Sequence, residues 1–184
     1  MTDAADRQRM LQLARSAIAA HLERRAPVAP TLEGRLADIG GAFVSLHSAG
    51  NLRGCIGHIE ADEPLGVIVP RCAVAACSAD PRFPPVVAAE LAALDIELSL
   101  LGPLEPVNAV DEIRLGRDGL VVESGWRRGL LLPQVATEWN WDLAAFLEHA
   151  CRKAGLPADA WKRGATLWRF EAEVFSEAAE ARAR

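Results

Sequence analysis

The sequence predicts an α+β fold: a largely antiparallel sheet flanked by helices, with the segment from about Pro103 onward as a candidate smaller second lobe. Two observations carry the class. Strand-like segments come in adjacent pairs joined by turn residues, and helical segments interrupt them without the regular strand–helix–strand rhythm of a parallel sheet.

Each element has its own signal. Residues 4 to 23 place Met10, Leu11, Ala14, Ala17, Ile18 and Leu22 at helical spacing with charges between them, an amphipathic helix. Ala26-Pro27-Val28-Ala29-Pro30 ends it and opens an extended linker. Ala42 to His47 is rich in strand formers, Ser48-Ala49-Gly50-Asn51 supplies turn chemistry, and Leu52 to His58 returns as the second strand of a hairpin. Asp62-Glu63-Pro64 marks the start of an apolar helix through Cys77, with a break or kink expected at Pro70. Asp80-Pro81-Arg82-Phe83-Pro84-Pro85 reads as a rigid loop.

Leu94 to Leu100 alternates, one face apolar and the other carrying Asp95, Glu97 and Ser99. Gly119 to Glu123 and Gly129 to Leu132 are two further strands joined around Ser124-Gly125. Asn140 is expected to cap a helix from Trp141 to Ala154, stopped by Gly155. Leu167 to Phe175 alternates again, with Trp168, Phe170, Ala172 and Val174 on one side.

Length and charge narrow the function. A chain of 184 residues suits one compact domain, taken here as 1–184, and needs no disulfide or structural metal to fold. The formal net charge is -5 and the basic residues are scattered, which argues against a nucleic-acid partner. The first residues carry no apolar signal-peptide core, and no run reaches the length of a membrane span, so the expected address is the cytoplasm. Cys55, Cys72, Cys77 and Cys151 are then free thiols; none forms a CxxC pair, and no metal site is expected. No phosphate loop, GxSxG, HExxH or Rossmann fingerprint occurs, and no cofactor is implied.

Chemistry concentrates in Asn51-Leu52-Arg53-Gly54-Cys55-Ile56-Gly57-His58. In an unbroken strand Arg53 and Cys55 share a face with Cα atoms about 6.6 Å apart, so the guanidinium favours the thiolate, the reactive form. Gly54 and Gly57 leave the backbone open to close approach, and Gly57 is a candidate bulge. His58 points away from Cys55 unless that bulge exists; His47 on the paired strand is the other histidine in reach. The plain alternative is a cysteine packed in the core of a hairpin. Arg82 suits a carboxylate or phosphate ligand, or an internal pair with Asp80, Glu90 or Glu97. Glu97 is a candidate base or a solvated strand residue. Cys72, Cys77 and Cys151 read as core.

Together these stretches resemble the AMMECR family, whose bacterial and archaeal members are called AmmeMemoRadiSam system protein A. The resemblance rests on Leu52-Arg53-Gly54-Cys55-Ile56-Gly57, Asp80-Pro81-Arg82-Phe83-Pro84-Pro85, Ile96 to Leu101, Gly129 to Val135 and Lys153-Ala154-Gly155-Leu156. It implies an α+β fold with a small second lobe, a groove near Leu52–Gly57, and association with a Memo-type protein and a radical-SAM protein. It supplies no reaction. Two readings follow. In one, a cytoplasmic enzyme or enzyme subunit uses Cys55 as nucleophile, with Arg53 and Glu97 as catalytic partners and Gly54, Gly57, His58 and Arg82 receiving an unidentified small molecule. In the other, the chain is a non-catalytic interaction or small-molecule-binding module of the same system.

Overall fold

A computed structural model describes residues 2–30, 32–59 and 62–182. The chain divides into two compact units, residues 1–101 with 173–184, and residues 102–172. The second unit therefore begins where the second lobe was expected, but the chain's tail belongs to the first.

In the first unit, helix α1 (Ala4–Leu22) starts at Asp3, whose side chain accepts the Asp6 amide. Its residues Met10, Ala14 and Ile18 are fully buried, as the spacing predicts. Strands β1 (Ala42–Ser48) and β2 (Asn51–His58) form an antiparallel hairpin, and β3 (Leu94–Leu101) lies antiparallel on the other side of β1, leaving β2 at the edge. The hairpin closes through Ala49 and Gly50, both with positive φ (49° and 80°), the signature of a two-residue turn that matches strand twist.

Helix α2 (Leu65–Ser78) runs through Pro70 without interruption, so the expected break is absent; any distortion from the missing donor stays within the helix. Val44, Leu46, Ile96 and Leu98 from the sheet and Ile68, Val69 and Ala73 from α2 all bury completely in one core with α1. Each large aliphatic side chain contributes on the order of 1.5–3 kcal/mol.

The second unit holds β4 (Glu105–Pro106), β5 (Asp118–Ser124), β6 (Arg127–Leu131), α3 (Pro133–Glu138) and α4 (Leu143–Lys153), together with the first part of β7 (Thr166–Ser176). All its strand pairs are antiparallel, β6 on β5, β5 on β7 and β7 on β4. Leu120, Val122, Phe146, Leu147, Ala150 and Cys151 form its core. The cap of α4 is Asp142, which accepts the Ala145 amide at 2.8 Å, and not Asn140. Asn140 instead takes a left-handed turn (φ 51°) after the short helix α3, which the pattern did not show.

The alternation expected along β7 breaks at its end: Phe170 is buried, Val174 is exposed, and Phe175 enters the core of the first unit. There the chain closes with the short helix α5 (Glu177–Arg182), whose Glu177 accepts from Arg15 of α1.

Candidate functional site

The site forms where the last turn of α2 meets the edge strand β2. A Cβ placed on Gly54 would lie 2.1 Å from the Ala76 carbonyl oxygen, far inside van der Waals contact. Only glycine lets that helix turn press onto the strand. Four residues beyond Ala76 the chain delivers Asp80, whose Oδ2 accepts the backbone N–H of Cys55 at 2.8 Å. Arg82 doubles back, donating to Asp80 Oδ1 (2.9 Å) and Oδ2 (2.7 Å) and to the Cys55 carbonyl (3.2 Å). The outward peptide groups of Cys55, which an edge strand leaves without a ladder partner, are thus both taken by the Asp80–Arg82 loop.

That outward orientation fixes what lies across from the thiol. Cys55 pairs with Ser45 as a non-hydrogen-bonded pair, the type whose side chains come closer together. The Ser45 hydroxyl donates to Cys55 Sγ at 3.3 Å. Ser45 pairs in turn with Glu97 on β3, so Cys55, Ser45 and Glu97 form one cross-strand row with strands about 4.8 Å apart. Ser45 is only 7% exposed, whereas Cys55 is half-buried and the other three cysteines are buried. Burial pushes the Cys72 thiol up to about 11 and raises those of Cys77 and Cys151.

Three expectations require correction. First, Arg53 is not the guanidinium beside the thiol. The hairpin register slips by one residue between the Leu46–Gly54 and His47–Leu52 pairs, making Arg53 the extra residue of a bulge. Its side chain is committed elsewhere, to Glu90 (2.8 and 3.1 Å) and the carbonyls of Pro84 (2.8 Å) and Pro85 (3.4 Å). The cation at Cys55 is Arg82, held above its ordinary value mainly by Asp80 and further by Cys55.

Second, the glycines are filled by the protein itself. Gly54 faces the Ala76 carbonyl, and a Cβ on Gly57 would sit 2.1 Å from the Phe43 ring, so neither opens a path for a ligand. Third, the bulge is not at Gly57. Pairing is regular from Gly54 to His58, so His58 points to the face opposite Cys55 and binds Asp62 at 2.9 Å. His47 sits opposite Leu52, and the hydrogen bond to the sulfur comes from Ser45 instead.

Electrostatics hold the loop in place. Hydrogen bonds from Arg82, opposed by burial and joined by the amides of Cys55 and Arg82, keep the Asp80 carboxyl far below the usual carboxylate range. Arg53 and the Val87 amide hold Glu90 below its ordinary value. Because Glu90 is about one-third exposed, this second pair is expected to contribute at most about 1 kcal/mol. A urea titration of Glu90→Gln checks this; a loss well above that figure would show a buried-type pair. Among the described residues no cluster of three or more metal-ligating side chains occurs, and no helix is long and apolar enough to cross a membrane.

The sequence matches the AMMECR1 family model over residues 11–175. The chain belongs to the AMMECR1 family. A relative from Methanothermobacter thermautotrophicus is 50% identical over 144 residues, 74% of this chain and 75% of that one. A second AMMECR1 relative, from Thermofilum pendens, is 40% identical over 91% of this chain and 88% of its own. The crystal structure of an uncharacterised protein from Pyrococcus horikoshii aligns with a TM-score of 0.87 at 38% identity, over 94% of this chain and 91% of that one. The AMMECR1 fold shared with it is the α+β arrangement described above.

Ser45 and Asp80 were not singled out as site residues from the sequence. The signal for Asp80 was present in its spacing to Arg82. Ser45 becomes visible only once the bulge fixes the register.

Proposed function

We propose that this AMMECR1-family chain is a cytoplasmic thiol-dependent enzyme, or subunit of one, in which Cys55 is the reacting group. The observation that carries the reading is the donation from Ser45 Oγ to Cys55 Sγ on the only cysteine of the four that is not buried. A hydroxyl donor stabilises negative charge developing on sulfur, and the reduced cytoplasm keeps the thiol free. Arg82 holds its guanidinium at the Cys55 carbonyl, and Glu97, paired with Ser45 one strand further in, is the candidate base. An unidentified small molecule would reach Cys55 at the exposed part of its own side chain, because Ser45 is buried and Gly54 and Gly57 are closed by packing. The family resemblance adds a Memo-type protein and a radical-SAM protein as the partners to test.

A second reading has its own support. Arg53 and Arg82 each hold a carboxylate of this chain, which suits a module whose loop and edge strand form a fixed docking surface. Reconstitution with both partners separates the two. Cys55→Ala is expected to abolish product formation while leaving partner binding intact. Loss of binding would favour the docking module, and retention of both would remove Cys55 from the function.

A further inference from the structure

Away from Cys55, the first unit carries a cleft of about 340 Å³ between the end of α1, the linker after it and the flank of α2. We propose that this cleft binds a small amphiphilic carboxylate, its apolar tail between the helices and its head at the mouth. Ala17, Val28, Val67, Pro70 and Val74 form apolar walls, and the volume falls at the small end of the range of about 300–1,000 Å³ usual for small-molecule sites.

The polar groups decide the class of ligand. His21, Arg25 and Arg71 line the cleft and no acidic side chain does, although the chain as a whole has 25 acidic and only 20 basic residues besides histidine. Arg71 is ion-paired with Glu63 and Arg25 with Glu23, both at exposed positions where water weakens the pair. A ligand carboxylate can share those guanidiniums, and Arg presents the planar fork that matches it. His21 has no side-chain partner among the described residues. An unbranched or aryl tail suits the walls better than a polyol, which would bury hydroxyls against valine and proline without acceptors. None of the lining residues belongs to the Cys55 site, so this inference stands apart from the proposed reaction.

The test uses octanoate, with 1-octanol as its neutral counterpart, and follows backbone amide shifts of the full chain. Saturable octanoate binding is expected, with shifts centred on Ala17, Val67 and Val74, and octanol is expected to bind at least about fivefold more weakly. That ratio is about 1 kcal/mol, the upper end for one solvent-exposed ion pair. The double variant His21→Gln/Arg71→Gln should lose that preference while keeping the fold, since both side chains are exposed. Val74→Trp should block binding by filling the cleft.

His21 also sits in the last turn of α1, where a cation complements helix carbonyls. If that is its whole role, the double variant would lose stability with octanoate affinity unchanged, and the proposal fails. Equal binding of octanol, shifts centred elsewhere, or capture by anionic phosphatidylglycerol vesicles without octanoate binding would also overturn it.

Discussion

Asp80→Ala is expected to lower the stability of the first unit by about 2–4 kcal/mol. The carboxylate side chain is only 2% exposed and accepts from the Cys55 amide and from Arg82, so its removal leaves a part-buried amide without an acceptor and a guanidinium without its counter-charge. Arg82 is half exposed, and water recovers part of its loss, which keeps the figure below that of a fully buried pair. The effect has a pH signature. A carboxyl depressed in the folded state contributes stability that is fully present above its unfolded value, about 3.9, and disappears as pH falls through the folded value. The gap between wild type and variant should therefore be constant from about pH 5 to 7 and shrink below about pH 4. Urea unfolding at pH 7 and pH 3 measures it; a gap that widens in acid would contradict the assigned pairing. Faster exchange of the Cys55 amide in the variant is expected alongside.

Gly54→Ala should be comparably damaging for a different reason. Its new methyl would meet the Ala76 carbonyl at 2.1 Å, and that oxygen belongs to a helix backbone that cannot swing aside. Overpacking usually costs about 1–3 kcal/mol, and this site should reach the top of that range because relief means moving the helix turn that delivers Asp80. At roughly 2–4 °C per kcal/mol for a chain of this size, the melting temperature should fall by about 6–12 °C. Gly57→Ala provides the comparison. Its obstacle is the Phe43 ring, a side chain, so Phe43→Ala should restore much of the stability lost in Gly57→Ala and none of that lost in Gly54→Ala. Rescue of both by Phe43→Ala would show that the helix contact is not what requires glycine at position 54.

The periodic parts of this fold were legible. The first helix, the hairpin, the alternating β3 strand and the buried character of Cys72, Cys77 and Cys151 follow from spacing alone, because apolar periodicity reports directly on burial. What the pattern did not carry was register. With Ser48 opposite Asn51, an unbroken hairpin would place Val44 opposite Cys55; the extra residue at Arg53 moves Ser45 there instead. One residue of slip exchanges the side chain facing the thiol from an aliphatic to a hydroxyl, and also sends Arg53 to Glu90. Nothing in the local composition announces that bulge: glycines flank the cysteine on both sides, and Gly57 looks the better candidate. The competition for Arg82 was equally closed to sequence reasoning, since Asp80, Glu90 and Glu97 are all plausible partners until α2 ends and aims the loop.

The reactive role proposed for Cys55 rests most directly on its contact with Ser45, and the alkylation rate of Cys55 in wild type and Ser45→Ala, with each cysteine assigned by mass spectrometry, tests it. Loss of one hydrogen bond to the developing thiolate, about 1 kcal/mol, predicts that Cys55 reacts roughly fivefold more slowly in the variant while remaining the fastest of the four. An unchanged or faster rate would mean that the hydroxyl merely packs against the sulfur, and Cys55 would then be a structural residue of the β2 edge.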